Sequence, residues 1–500
     1  MPQSRDNSGA ATSSHSDSIN RRRFVQAVGA TGVTVGLAGC SGGGSSSGST
    51  TGEGGEGGGA GGASKLQLTT HSEWRKNSEA IKQALYDAGL SEDIQLEFIS
   101  AGSTTDEMQN QYSQWLSAEQ ARPDLMIFDS GWTIPFIVRG QLLNLEDALP
   151  SDLLDTVHND YFQQSVGSAT GPDGDLFGVP LYPDFPTIQY RKDLVQDAGY
   201  DWEQYRTEAM SWKQFASELQ DVYEQSDADY GFNWQAASEI QLSCCVFNEF
   251  LSSWGGAFFG NPEENLYGPV GDRPVTVNEQ PVKDSLRMAR SFVHGADADG
   301  TLDGFAGGIT STEAGQWGLS PSMRPFTNGN AVALRNWPYS ININGAEDAL
   351  GEDMGVMPIP YGVPEGEGQY PGTGGSVGAL GGWNFAVNPN SQQVDAAVEF
   401  LQAISTESFQ LANFKTVGHI PPVPSTLKQA SDVPIMSRYL EPLTYAGEHT
   451  MARPATPVWP QQGEAVAQEA HAAIMAKKPV GEAMSSLQSR LKSFEESYSG

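Results

Sequence analysis

The stretch from residue 66 to residue 128 constrains the fold most, because strand and helix patterns alternate along it. Residues 66–70 and 94–98 have strand patterns, and 124–128 is a continuous apolar run typical of a strand buried on both faces. The two intervening segments carry apolar residues at helical spacing. The order βαβαβ predicts a doubly wound α/β sheet flanked by helices.

Polar and aromatic residues follow two of these strands. Glu73 comes after the first strand, and Asp129 and Trp132 come after the third. Ligands of doubly wound sheets bind beyond the carboxyl ends of the strands. We therefore interpret these three residues as candidate ligand contacts.

A second informative stretch is GVPLYPDFPTIQYRKDL, from Gly178 to Leu194. Its prolines favour an extended, stiff backbone, and Thr187 to Tyr190 alternates like a strand. Tyr182 and Asp184 place a ring beside a carboxylate, a pair that suits a sugar's C–H face and hydroxyls. A surface turn with a buried tyrosine is the alternative.

Two further segments bring tryptophans to strand ends. In FTNGNAVALRNWPY, from Phe326 to Tyr339, an apolar strand ends just before Trp337. A glycine-rich loop from Gly372 leads to Gly381, Gly382 and Trp383, and a further strand through Phe385 is expected to follow.

The charge balance excludes several partners. Among 500 residues, Asp and Glu total 61 and Lys and Arg total 28, a formal net charge of −33. A field of that sign repels nucleic acid and anionic membrane surfaces. The acids are spread along the chain, which favours a halophilic surface over an acidic tail. The length predicts two or three lobes.

The cysteines do not form a disulfide framework or a zinc motif. Only Cys40, Cys244 and Cys245 occur. The adjacent pair is interpreted as small buried apolar residues, with a vicinal disulfide as the alternative.

The first 64 residues carry the marks of export. Arg21 and Arg22 precede a short apolar run, as in a Tat signal, and the run ends in a lipobox-like Leu-Ala-Gly-Cys at Cys40. A plain signal with a chance cysteine is the alternative. Residues 41–64 are almost all Gly and Ser, which predicts a flexible tether.

The motifs of common enzymes are missing or out of context. Residues 374–378 match G-x-S-x-G but lack the preceding strand and following helix that a nucleophile elbow needs. The seven His are dispersed, so we expect neither a metal nor a cofactor. Paired carboxylates among Glu73, Asp129 and Asp184 leave a glycoside-active enzyme as an alternative.

Signal, lipobox, tether and α/β body together resemble an exported solute-binding lipoprotein of an ABC importer. The resemblance becomes specific in the order of the GVP…YRKDL, F-x-x-G…N-W-P and G-G-W motifs, followed by Gly418-x-Ile420-Pro421 and Arg453-Pro454. These resemble the extracellular solute-binding proteins of family 1, most of all the maltose/trehalose-binding branch of halophilic archaeal type. Asn330 departs from the family, which commonly has lysine there.

The resemblance implies a two-lobed fold of periplasmic-binding-protein type, with the ligand in the cleft between lobes. It implies lobe 1 at 65–179 plus about 355–403, and lobe 2 at 180–354 plus about 404–500. The implied ligand contacts are acids, rings, two glycines and one arginine: Glu73, Asp129, Trp132, Tyr182, Asp184, Trp337, Gly381, Gly382, Trp383 and Arg453.

The function that the resemblance implies is capture of a sugar, a maltose- or trehalose-like di- or oligosaccharide, rather than catalysis. The implied partners are ABC permease subunits with their ATPase, and a membrane reached through the lipid on Cys40. A monomer is expected. A surface sensor or adhesin remains the other alternative.

Overall fold

Strands of this protein form two separate sheets in a computed structural model, which describes residues 64–102 and 104–498. The signal, Cys40 and the tether lie outside the described residues. The strands are β1 (Ser64–Thr69), β2 (Ile94–Ile99), β3 (Leu125–Asp129), β4 (Val179–Asp184), β5 (Thr187–Arg191), β6 (Tyr230–Asn233), β7 (Ala331–Asn336), β8 (Met354–Met357), β9 (Gly378–Val387) and β10 (Thr450–Ala452).

Helices cover both sheets. They are α1 (Ser72–Lys76), α2 (Ser78–Asp87), α3 (Thr105–Ser117), α4 (Thr133–Val138), α5 (Ser151–Asp160), α6 (Gln163–Gly167), α7 (Lys192–Asp197), α8 (Trp212–Gln225), α9 (Phe247–Ser253), α10 (Pro262–Asn265), α11 (Gln280–His294), α12 (Leu319–Thr327), α13 (Tyr339–Asn344), α14 (Val394–Ile404), α15 (Glu407–Val417), α16 (Pro424–Lys428), α17 (Leu440–Glu448), α18 (Trp459–Ile474) and α19 (Val480–Tyr498). A π-helical turn, Leu242–Val246, precedes α9.

The first sheet begins as the sequence predicts and then changes direction. Its order is β10-β9-β3-β1-β2, and β4 also pairs with β9. β1 is parallel to β2 and β3, whereas β9 is antiparallel to β3 and β4. The core on this sheet is a continuous apolar cluster that includes Leu68, Phe128 and Phe385. The doubly wound pattern is thus the parallel part of a larger mixed sheet.

The second sheet has the order β6-β7-β5-β8. β5 is antiparallel to β7 and β8, and β6 is parallel to β7. Its core contains Trp212, Phe232 and Phe250, all almost fully buried, and it continues into α18 and α19. Each sheet therefore has its own core, as a two-lobed fold requires.

The stretch from Gly178 to Leu194 links the two sheets. β4 pairs within the first sheet, and β5 pairs within the second only a few residues later. The chain crosses back between β8 and β9. The strand pairing thus makes this stretch a connection from the first sheet to the second.

Parts of the chain depart from the expected secondary structure or lobe. The strand at 378–387 begins before Gly381, so both glycines lie inside β9 rather than in a loop. α15 packs against α2, and β10 pairs with β9, although both fall in the range predicted for lobe 2. Three residues of strand carry too little pattern for this return to the first sheet to be read from sequence.

Candidate ligand-binding site

A cavity of about 290 Å³ lies between elements of the first sheet and elements that pack on the second. On one side are the end of β3, the start of α4 and the segment after β10. On the other are the π-helical turn and the start of α18. The lining residues are Thr104, Thr105, Gln109, Asp129, Gly131, Trp132, Pro135, Ile240, Gln241, Cys244, Arg453, Thr456, Trp459 and Pro460.

Asp129 and Arg453 form an ion pair in the cavity wall. Each side chain is 13% exposed. Asp129 Oδ1 also accepts a hydrogen bond from the Gly131 amide at 2.7 Å. Glycine at 131 leaves room for the guanidinium in this position, because a Cβ would lie 1.8 Å from Arg453 Nε. Burial lowers the pKa of Arg453 to about 10, so the guanidinium stays charged at neutral pH.

Two tryptophans supply the aromatic walls. Trp132 lies at the start of α4 and packs on Phe128, with ring centroids 5.1 Å apart. Trp459 opens α18 in the other lobe and packs edge-on against Phe258. Both indoles are almost fully buried, and neither indole N–H has a hydrogen-bond partner among the described residues. Buried donors of this kind are normally paired, so each is suited to a ligand oxygen.

A second cluster continues from the cavity through Trp383. The Trp383 ring lies 6.0 Å from Trp132 and 4.1 Å from His71, perpendicular to both. Tyr182 stacks on His419 at 3.8 Å, and its hydroxyl lies 3.3 Å from His71 Nδ1. Burial lowers the pKa of His71 to about 4. The two imidazoles are therefore neutral rings at neutral pH.

Trp337 belongs to the second lobe's wall. Its Nε1 donates to Gln241 Oε1 at 3.3 Å, and the Arg335 guanidinium lies 4.8 Å from its ring. Arg335 is buried and paired with Glu249, which holds this wall from behind. A Cβ on Gly381 would approach the Trp337 ring to 3.2 Å, so glycine permits this close packing.

Asp184 ends β4 and is half-buried. Desolvation raises its pKa to about 7, against the opposing effects of Arg335 and of the Phe185 amide. On β9, Gly381 lies opposite Asp184, and the next residue, Gly382, has φ +110°, a conformation that favours glycine. Its carbonyl accepts the Ser130 amide at 2.9 Å, so this backbone group is already used within the protein.

Of the ten predicted site residues, Asp129, Trp132 and Arg453 line the cavity. Trp337 reaches it through Gln241, and Trp383 and Tyr182 form the adjoining cluster. Gly381, Gly382 and Asp184 lie behind these rings. Glu73 is exposed, with Ser72 donating to its carboxylate at 2.6 Å, and does not line the cavity. That all ten contact ligand stays a prediction.

Sequence reasoning missed several lining residues, among them Gln241, Thr456 and Trp459. Gln241 and Trp459 lie on helical turns whose sequence has no site motif, and only the packing of the two lobes brings them to Asp129, whereas Thr456 lies in the irregular segment after β10. The structure corrects the interpretation of the adjacent cysteines as small apolar residues: Cys244 and Cys245 are joined by a disulfide.

Comparison with known proteins places these observations in a family. A protein-family model described as bacterial extracellular solute-binding protein matches residues 88–436 of this chain. A probable ABC transporter-binding protein of Deinococcus radiodurans is 23% identical over 388 residues, covering 76% of this chain and 82% of its own length.

Solved structures share the fold. Maltose-bound MalE3 of T. maritima aligns with a TM-score of 0.67 at 22% identity, covering 86% of this chain and 99% of its own. The cyclic α-maltosyl-1,6-maltose binding protein of Arthrobacter globiformis gives 0.65 at 18%, covering 87% and 99%. UgpB of Mycobacterium tuberculosis, in complex with glycerophosphocholine, gives 0.62 at 17%, covering 88% and 100%.

The family match spans more than half of the chain, and the two-lobed fold agrees with it. The chain belongs to the bacterial extracellular solute-binding proteins, a family of binding proteins and not of enzymes.

Proposed function

We propose that this protein captures a neutral sugar outside the cell and delivers it to an ABC permease. The observation that supports this most is the chemistry of the cavity. Its one acid, Asp129, and its one base, Arg453, are paired with each other, and the remaining polar lining is hydroxyl and amide. Such a site has no unpaired charge to attract an ionic solute.

The shape of the lining also suits a sugar ring. Trp132 and Trp459 offer apolar faces on the two lobes, and within the described part of the chain neither indole N–H has a hydrogen-bond partner. Threonine hydroxyls and the amides of Gln109 and Gln241 both donate and accept, as each sugar hydroxyl does. A volume of about 290 Å³ is near the lower end of ligand pockets, roughly 300–1,000 Å³. This favours a short saccharide such as maltose or trehalose.

Delivery and anchoring complete the proposal. Twin arginines at Arg21 and Arg22 would direct export by the Tat route, and a lipid on Cys40 would hold the body to the outer face of the membrane. The Gly/Ser segment would leave it free to reach a permease. The large negative charge would suit a high-salt exterior. Among the described residues, no helix combines the length and apolarity needed to cross a bilayer.

The proposal is tested with the full chain in high salt against maltose, trehalose, longer maltooligosaccharides, glucose 6-phosphate and glycerophosphocholine. A ligand at 100 times its Kd should stabilise the protein by roughly 2.7 kcal/mol and raise its melting temperature. Trp132→Ala should lose the shift while keeping the fold. If no neutral sugar shifts the melting temperature, or only the phosphorylated solutes do, the sugar assignment is wrong.

A further inference from the structure

The Cys244–Cys245 disulfide lies at the ligand cavity. Cys244 is among the lining residues, and each cysteine is 1% exposed. Both lie in the π-helical turn Leu242–Val246. Single π-helical turns are rare and occur often at functional sites, because the extra residue redirects the side chains that follow. Here the turn places the disulfide on the wall opposite Asp129.

The surroundings of the disulfide are apolar. Cys244 and Cys245 pack with Trp337 and Ala379 in one buried cluster. Gln241, which precedes the π-helical turn, uses its side-chain oxygen to accept a hydrogen bond from Trp337 Nε1, and this leaves its amide N–H groups as donors toward a ligand. One turn of chain thus combines an apolar sulfur surface with a hydrogen-bond donor beside it.

Oxidation changes what this wall offers. Two thiols would carry weak S–H donors and could rotate separately, whereas the disulfide has no donor and its two sulfurs are joined in one polarisable unit. The C–H face of a sugar ring needs an apolar surface of this kind, with donors at its rim. Cys244 in this wall can supply that surface, and Gln241 can supply a donor beside it.

We propose that the Cys244–Cys245 disulfide is part of the ligand-binding surface, against which a bound sugar lays its C–H face. The inference rests on the proposed function, since it assumes a neutral sugar in this cavity. It makes the disulfide a determinant of affinity and not only a link in the core. Reduction of the pair would then weaken sugar binding while the lobes stay folded.

The experiment measures the Kd for the sugar that gives the largest thermal shift, by titration calorimetry on the full chain. Wild type is compared with Cys244→Ala/Cys245→Ala and with wild type treated with dithiothreitol, which converts the disulfide to two thiols as it is itself oxidised to a cyclic disulfide. We expect about tenfold weaker binding in both, since roughly 1.4 kcal/mol of contact is lost. The alanine pair treated with dithiothreitol is the matched control and should not change further.

The outcomes separate the two proposals. A wild type that binds sugar with the same Kd after reduction overturns the role of the disulfide and leaves the proposed function standing. The role of the disulfide is also overturned if the Cys244–Cys245 peptide is alkylated before any reductant is added, since this would show that the two cysteines are free thiols. A wild type that binds no sugar overturns the proposed function, and this inference with it. If the alanine pair unfolds, the reduced wild type decides.

Discussion

The ion pair between Asp129 and Arg453 can be tested by a double-mutant cycle. Asp129→Asn removes the carboxylate charge and leaves the Arg453 guanidinium in a site where its side chain is only 13% exposed. The guanidinium packs against Gly131, and Asp129 is the acid paired with it in the cavity wall. The substitution therefore creates an uncompensated, largely buried positive charge.

The expected magnitude follows from this burial. Removing one partner of a fully buried pair costs about 3–5 kcal/mol. Because some water reaches both groups, we expect the lower end, about 3 kcal/mol, for Asp129→Asn. Arg453→Met should cost about 2 kcal/mol, since Asp129 keeps its hydrogen bond from Gly131. The double variant should be less destabilised than the sum, with a coupling energy of about 2 kcal/mol.

Urea unfolding followed by circular dichroism gives the free energy of unfolding for the four proteins. The exposed pair Lys415–Asp432, with side chains 57% and 71% exposed, is the control. Asp432→Asn should cost no more than about 1 kcal/mol, and less at high salt. Additive effects at Asp129 and Arg453, or a cost no greater than that of the control, would refute the reasoning.

Three further expectations concern titrating groups and backbone. The pKa of Asp184 is raised to about 7 from 3.8, so ionisation of its carboxyl should lower the stability of the folded protein as pH rises from about 4 to 7. Asp184→Asn should remove that loss in unfolding midpoints measured across pH. The same pH dependence of the midpoint in variant and wild type would contradict this. The pKa of His71 is lowered to about 4 from 6.5, so stability should fall as pH drops through that window, and His71→Gln should flatten the same profile. Gly382→Ala should destabilise by about 1–3 kcal/mol, because its Cβ would lie 2.5 Å from the Tyr182 carbonyl oxygen. Gly481→Ala should not destabilise the protein, because a Cβ at that position has no atom within 4 Å. Equal urea midpoints for Gly382→Ala and Gly481→Ala would show that the close contact at Gly382 costs no stability.

Local pattern predicted the elements of this fold well where periodicity was strong. The strands ending near Thr69 and Asp129 and the strand from Thr187 through Tyr190 all follow from apolar spacing and alternation. β10 was not predicted, because three residues carry no periodic signal. The beginning of β9 was not predicted either, since its two internal glycines, Gly381 and Gly382, resemble a loop.

The site was less accessible from sequence than the fold. Asp129 and Trp132 could be placed at a strand end, but Arg453 was assigned only through family resemblance. Gln241 and Trp459 reach the cavity through the approach of two lobes, a long-range contact that no local pattern encodes. The adjacency of Cys244 and Cys245 allowed a disulfide, but only the structure shows that the two sulfurs are joined.

The central position of β9 has a consequence for the timing of folding. Its neighbours β3, β4 and β10 come from near residues 125, 180 and 450, so the first sheet collects strands from most of the chain. During synthesis that sheet stays incomplete until residue 452 has emerged from the ribosome. Contacts of such separation slow folding and leave strand edges open meanwhile. A chain truncated before β10 would leave Gly378–Leu380 of β9 without their partner strand, and it would also lack α18 and α19, which complete the second core.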